Sequence, residues 1–175
     1  VPTKLRSLDV LRLTSQAQEI SLACPAKWFG RALKGLPPQD KNQVFQCLLQ
    51  GEQSASGQRL LHVSLKGAVQ LECQRCLEIF SYPVQVENTL VIVEDEDELI
   101  EDDDPEAFER LVGSTSFDGF ALLEDELILS LPYVARHEQC PELPAALQEQ
   151  PQDEAPQAKK RNPFQVLEQL KKDLD

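Results

Sequence analysis

Between Leu61 and Cys73 the apolar side chains keep to one parity of the chain. Leu61, Val63, Leu65, Val69, Leu71 and Cys73 alternate with His62, Ser64, Lys66, Gln70 and Glu72. Period two over so long a stretch predicts a strand with one buried face, and Gly67 marks a bulge or bend within it. Phe80, Tyr82, Val84, Val86, Leu90 and Ile92 take up the same alternation, so the two arms form a long hairpin that turns at "CQRC". Pro83 puts the second arm at an edge or a kink. Gln43 to Gln50 reads as another strand, closed by the turn-rich "GEQSASG", and "SQAQEISLAC" ends in a short one.

The pattern changes elsewhere. "PAKWFGRALKG" predicts a short helix, with Pro25 at its start, Gly35 at its end, and Trp28, Phe29 and Leu33 on a shared face. In "FDGFALLEDELILSLP", Leu123, Leu127 and Leu131 recur every four residues, Asp118 caps the start and Pro132 stops the run. The expected fold is α+β: an antiparallel β meander with helices packed on one face, followed by a flexible C-terminal tail. The domain spans 1–141, with an acidic loop near 94–110. Residues 142–158 have the Pro/Gln-rich composition of a linker. Residues 159–175 predict a short amphipathic helix, capped by Asn162 with Pro163 in its first turn and Phe164, Leu167 and Leu170 along one stripe.

Charge narrows the function classes. With 175 residues and a net charge of −13, the chain suits one domain whose field repels phosphate backbones and attracts basic proteins. The run "EDEDELIEDDDPEAFER" is expected to be a solvated, mobile loop. The start lacks an apolar signal region and no run approaches the roughly 18 apolar residues of a membrane span, which predicts a soluble cytoplasmic protein. The absence of methionine implies that an initiator was removed or that the numbering begins after it.

Five cysteines is an odd count without the spacing of a disulfide framework. Cys73 and Cys76 at the hairpin tip are open to three readings: a metal clip, a redox pair, or a tight turn with Cys73 merely buried. "RHEQC" supplies His137 and Cys140, which would complete a Cys₃His zinc set if the fold closed the gap of about sixty residues. A redox role favours a thiolate at a helix N-terminus, whereas this pair lies between strands. Cys24 and Cys47 read as small core residues. With only His62 and His137 and no phosphate loop or nucleophile elbow, hydrolytic catalysis finds little support. Glu124, Asp125 and Glu126 read as a solvated helix face rather than an acid–base pair. The cluster Lys159, Lys160 and Arg161 offers a few contacts to RNA phosphates, and "NPFQVLEQL" has the form of a segment that docks in a partner's groove or folds back on its own domain.

Taken in order, "LECQRC", "LLEDELILSLPYVARHEQC" and "NPFQVLEQLKK" resemble the YceD family, named for large ribosomal RNA subunit accumulation. The resemblance implies a non-enzymatic cytoplasmic factor that promotes synthesis, processing or stability of large-subunit (23S) ribosomal RNA. The family's bacterial genes often neighbour that of a small large-subunit ribosomal protein, which implies a basic ribosomal component as partner. Cys73, Arg75 and Cys76 match the family's cysteine turn. Glu124, Asp125, Glu126 and Pro132 match its acidic helix block, and Asn162, Pro163 and Phe164 its tail; these carry the expected partner contacts. Many relatives have a fuller cysteine cluster after the helix, where this chain keeps His137 and Cys140. The alternatives are direct RNA binding through the basic tail and, behind it, a thiol-redox protein.

Overall fold

The computed structural model describes residues 1–99 and 108–140. The centre of the expected acidic loop, the linker at 142–158, and the C-terminal segment with Asn162, Pro163 and Phe164 lie outside the described residues.

Two short helices, α1 (Thr3–Arg6) and α2 (Val10–Ser15), precede β1 (Glu19–Pro25). Then come β2 (Val44–Gln53), β3 (Arg59–Glu72), β4 (Ile79–Val93), β5 (Arg110–Val112) and α3 (Gly119–Ser130). The five strands lie in sequence order in one sheet. The first four are antiparallel neighbours, whereas β5 runs parallel to β4 over Val91–Val93, so the meander breaks its pattern at the last strand. Among the described residues no helix is long and apolar enough to cross a membrane.

The two-residue alternation decides which face is buried. Leu61, Val63, Leu65, Val69 and Leu71 of β3 join Phe45, Cys47 and Leu49 of β2 and Val84, Val86, Leu90 and Ile92 of β4 on one side. Against them pack Leu5, Val10 and Leu13 from the N-terminal helices, Leu8 from the link between them, and Phe120, Leu123 and Leu127 from α3. All the α-helices therefore cover one face, as the pattern predicts. Phe29 sits wholly inside, its ring 4.9 Å from that of Phe45 and 5.0 Å from that of Phe120. On the opposite face a small cluster of Leu60, Val91 and Val93 is covered by Leu99, the last residue of a 3-10 turn over Glu96–Leu99. The first part of the acidic stretch is thus folded down onto the sheet.

Two local expectations change. The predicted helix over Pro25–Gly35 reduces to one 3-10 turn, Ala26–Trp28, followed by turns. The reason is that Phe29 drops into the core and the N–H groups of Arg31 and Ala32 turn to the carboxylate of Glu124. Gly67 makes no bulge: pairing with β4 runs unbroken from Lys66–Gln85 through Gly67–Val84 to Ala68–Pro83. The glycine is there for space, since a Cβ would fall 2.4 Å from Cδ1 of Phe45. Gly67→Ala should therefore destabilise the fold by about 1–3 kcal/mol through overpacking, measured by denaturant titration. An unchanged midpoint would mean that Phe45 has room to move.

Candidate metal centre

The turn between β3 and β4 is tight. Cys73 N–H donates to Glu78 O at 2.9 Å, and Leu77 N–H donates to Cys73 O at 2.8 Å. Closing it puts Leu77 in the left-handed region at φ 64°. The segment after α3 returns to this tip. Leu131 ends the helix in an extended conformation ahead of Pro132, and Gln74 N–H then donates to Ala135 O at 2.9 Å. That contact lays residues 133–140 along the hairpin turn and closes the sixty-residue gap.

Four donor atoms converge as a result. One atom each from Cys73, Cys76, His137 and Cys140 lies within 4.8 Å of every other. Cys73 Sγ is 3.7 Å from Cys140 Sγ; His137 Nδ1 is 3.2 Å from Cys76 Sγ and 3.9 Å from Cys140 Sγ. A tetrahedral zinc with bonds of about 2.3 Å to sulfur and about 2.0–2.1 Å to nitrogen has S–S edges of about 3.8 Å and S–N edges of about 3.6 Å. The cluster fits that figure, and all five cysteines are free thiols rather than disulfides. Cys24 and Cys47 are buried in the core and stand apart from the set.

The surroundings favour the thiolate at Cys73 and the neutral thiol at Cys76. Burial pushes the Cys73 thiol up, but the backbone N–H groups of Cys76, His137 and Arg75 directed at its sulfur outweigh it and pull the pKa down to about 5. Burial raises Cys76 to about 11, helped by the neighbouring thiols. Arg75 Nε donates to Cys140 Sγ at 3.0 Å, and that contact raises the pKa of the guanidinium further. Three thiolates and a neutral imidazole around a dication carry one net negative charge, and Arg75 is placed to balance it. The Phe80 ring lies against the His137 ring at 4.6 Å and fixes its tilt. This chain's own residues could therefore hold a metal with four protein donors and a supporting shell.

The acidic helix block differs from its sequence reading. Glu124 and Glu126 are buried, not solvated. Glu124 accepts the N–H groups of Arg31 at 2.7 Å and Ala32 at 3.2 Å, and Arg31 Nε lies 3.4 Å from its second oxygen. Glu126 accepts Asn88 Nδ2 at 2.8 Å. Asp125 is exposed and pairs with Arg31 at 2.8 Å. The stripe of Leu123 and Leu127 hid this, because the polar partners come from a loop and a strand distant in sequence.

Comparison with known proteins comes to the same place. The profile described as "Large ribosomal RNA subunit accumulation protein YceD" matches residues 61–171, more than half of the chain. The chain belongs to the YceD family. A protein of that name from Haemophilus influenzae is 40% identical over 119 residues, 62% of this chain and 66% of the relative, so just under two thirds of the relative's length is spanned. No solved structure matches. The YceD match takes in the cysteine hairpin, α3 and the returning segment, so every residue of the candidate metal centre lies inside it.

Proposed function

We propose that the chain is a cytoplasmic, non-enzymatic factor of large-subunit assembly. It promotes the synthesis, processing or stability of large-subunit ribosomal RNA by holding a basic ribosomal component on its acidic surface. The family description supports the process. The observation that carries binding over catalysis is the closed set of four protein donors: a zinc held by Cys73, Cys76, His137 and Cys140 keeps no open position for substrate and serves structure. Its role is to clip the segment after α3 to the hairpin tip.

The grip itself is electrostatic. Glu96, Asp97 and Glu98 are carried on a turn that Leu99 pins to the sheet, and no cation pairs with their side chains among the described residues. Asp125, exposed on α3, is already paired with Arg31 at 2.8 Å and lies outside this grip. The basic partner is released when RNA competes for it. Asn162, Pro163 and Phe164 are assigned the role of a tether. Pull-down of large-subunit ribosomal proteins by the full chain should weaken at least about tenfold between 0.1 and 0.5 M salt, and again when Glu96, Asp97 and Glu98 are changed to Lys. Association that ignores both salt and charge reversal would end the acidic-surface proposal.

A further inference from the structure

The negative charge is unevenly spread. The first 42 residues hold seven Lys and Arg but only three Asp and Glu, in a chain with 17 and 30 of each class. Four of those cations, Lys27, Arg31, Lys34 and Lys41, fall on the loop between β1 and β2. Arg31 is committed to Glu124 and Asp125. Lys27, Lys34 and Lys41 are exposed and enter no ion pair among the described residues.

Three anchors hold the loop. Phe29 is fully buried in the core. Glu124 takes the Arg31 and Ala32 N–H groups. Gln39 imitates a neighbouring strand: its Oε1 accepts Gln70 N–H at 2.8 Å and its Nε2 donates to Gln70 O at 3.1 Å. Between the anchors, Lys27 and Lys41 line one cleft of about 330 Å³ with Gly30, Leu33 and Asp40, and Lys34 follows Leu33 directly. Trp28, half-buried, stands beside Lys27 and is the chain's only tryptophan. Asp40 is the one acid on the loop.

Sheet register places this loop far from the acidic turn. Gln39 meets Gln70, near the cysteine end of β3, whereas Glu96–Leu99 follows the far end of β4, where Ile92 pairs with Arg59. The 11 residue steps from Arg59 to Gln70 along β3 separate the two by roughly 35 Å. At about 0.1 M salt the screening length is about 10 Å, so the distant carboxylates barely reach the loop.

We propose that the Lys27–Lys41 loop is an RNA-contact surface, with Lys27, Lys34 and Lys41 on backbone phosphates and Trp28 offering a face for an unstacked base. The protein then has two poles, one anionic for a basic protein and one cationic for ribosomal RNA. RNA is the favoured occupant because an anchored loop carrying three lysines that enter no ion pair among the described residues, together with a half-buried tryptophan, serves both phosphate and base. This inference rests on the ribosome-assembly reading, yet the protein pull-down above uses no RNA, so either can fail alone.

The test titrates the full chain with a 20-nucleotide single-stranded RNA at 50 mM salt, following Trp28 fluorescence. RNA is expected to quench it. Changing Lys27, Lys34 and Lys41 together to Glu should weaken binding by at least about tenfold and lower the salt slope by about two, at roughly 0.7 per phosphate contact on a single strand. Changing Lys159, Lys160 and Arg161 to Gln should leave the Trp28 quench in place. Circular dichroism of the triple variant shows that it is folded. Absence of quenching, loss of binding only in the tail variant, or equal binding of a polyglutamate of matched charge would each overturn the proposal.

Discussion

Changing Cys73 to Ser should take the intact chain from about one bound zinc to less than about a tenth, read by elemental mass spectrometry after desalting. Cys73 is the sulfur best prepared for a metal. Three backbone N–H groups stabilise its thiolate before any cation arrives, and a serine hydroxyl in that cradle is a far weaker zinc ligand. The core does not depend on the site. Phe45, Leu61, Leu65 and Leu123 are buried together on the sheet's helix-covered face, so far-UV circular dichroism should keep its β signal. The returning segment does depend on it. Without metal, residues 133–140 retain the Gln74–Ala135 hydrogen bond, the buried Ala135, the Arg75 contacts to His137 O and Cys140 Sγ and the His137–Phe80 ring contact, a thin set of ties for eight residues. Trypsin should then cut after Arg136 in Cys73→Ser and in chelator-treated protein, but not in the zinc-loaded form. A ligand at 100 times its dissociation constant stabilises by about 2.7 kcal/mol, so the Tm should drop by roughly 5–10 °C at this chain length. Wild-type protein that takes up no zinc, or a Cys73→Ser variant that keeps it, would remove the centre.

What the sequence discloses here follows from distance along the chain. The hairpin of β3 and β4 was visible because its signal is local: period two on both arms and a pair of cysteines where they turn. Each half of the metal set was visible for the same reason, since two ligands two residues apart share a turn. Their union could be named only as a condition on the fold, because it depends on where α3 points its C-terminus, and that is decided by Leu123 and Leu127 seating in a core made by distant strands. β5 escaped because three residues cannot show a period. The helix expected after Pro25 failed because a buried phenylalanine and a carboxylate from α3 claim the backbone that a helix would have used. Gly67 was noticed for the right property, its missing side chain, but the need comes from Phe45 on the next strand rather than from its own backbone. The lysines of the same loop looked unremarkable in a chain of net charge −13, and only the register of the sheet shows how far they stand from the acids.

That same loop yields the other large expected effect, the loss of Glu124. Its carboxylate is buried and takes two backbone donors that have no other partner, together with the Arg31 side chain. Glu124→Ala strands the N–H groups of Arg31 and Ala32 under α3, at about 1–3 kcal/mol for each buried donor left unpaired. The total of about 2–6 kcal/mol should show as a Tm lowered by roughly 5–20 °C. Glu124→Gln keeps an acceptor oxygen and should cost less than half as much. Asp125→Asn, at an exposed ion pair, should shift stability by no more than about 1 kcal/mol. This ordering separates two roles for the acidic helix block. If all three residues faced a partner, the three variants would melt alike and differ only in pull-down. A ranking with Glu124→Ala far below the others assigns Glu124 to holding the lysine loop in place, and leaves Asp125 as the block's outward charge. Equal melting of Glu124→Ala and wild type would show that water satisfies the loop's donors and that the loop is held by Phe29 and Gln39 alone.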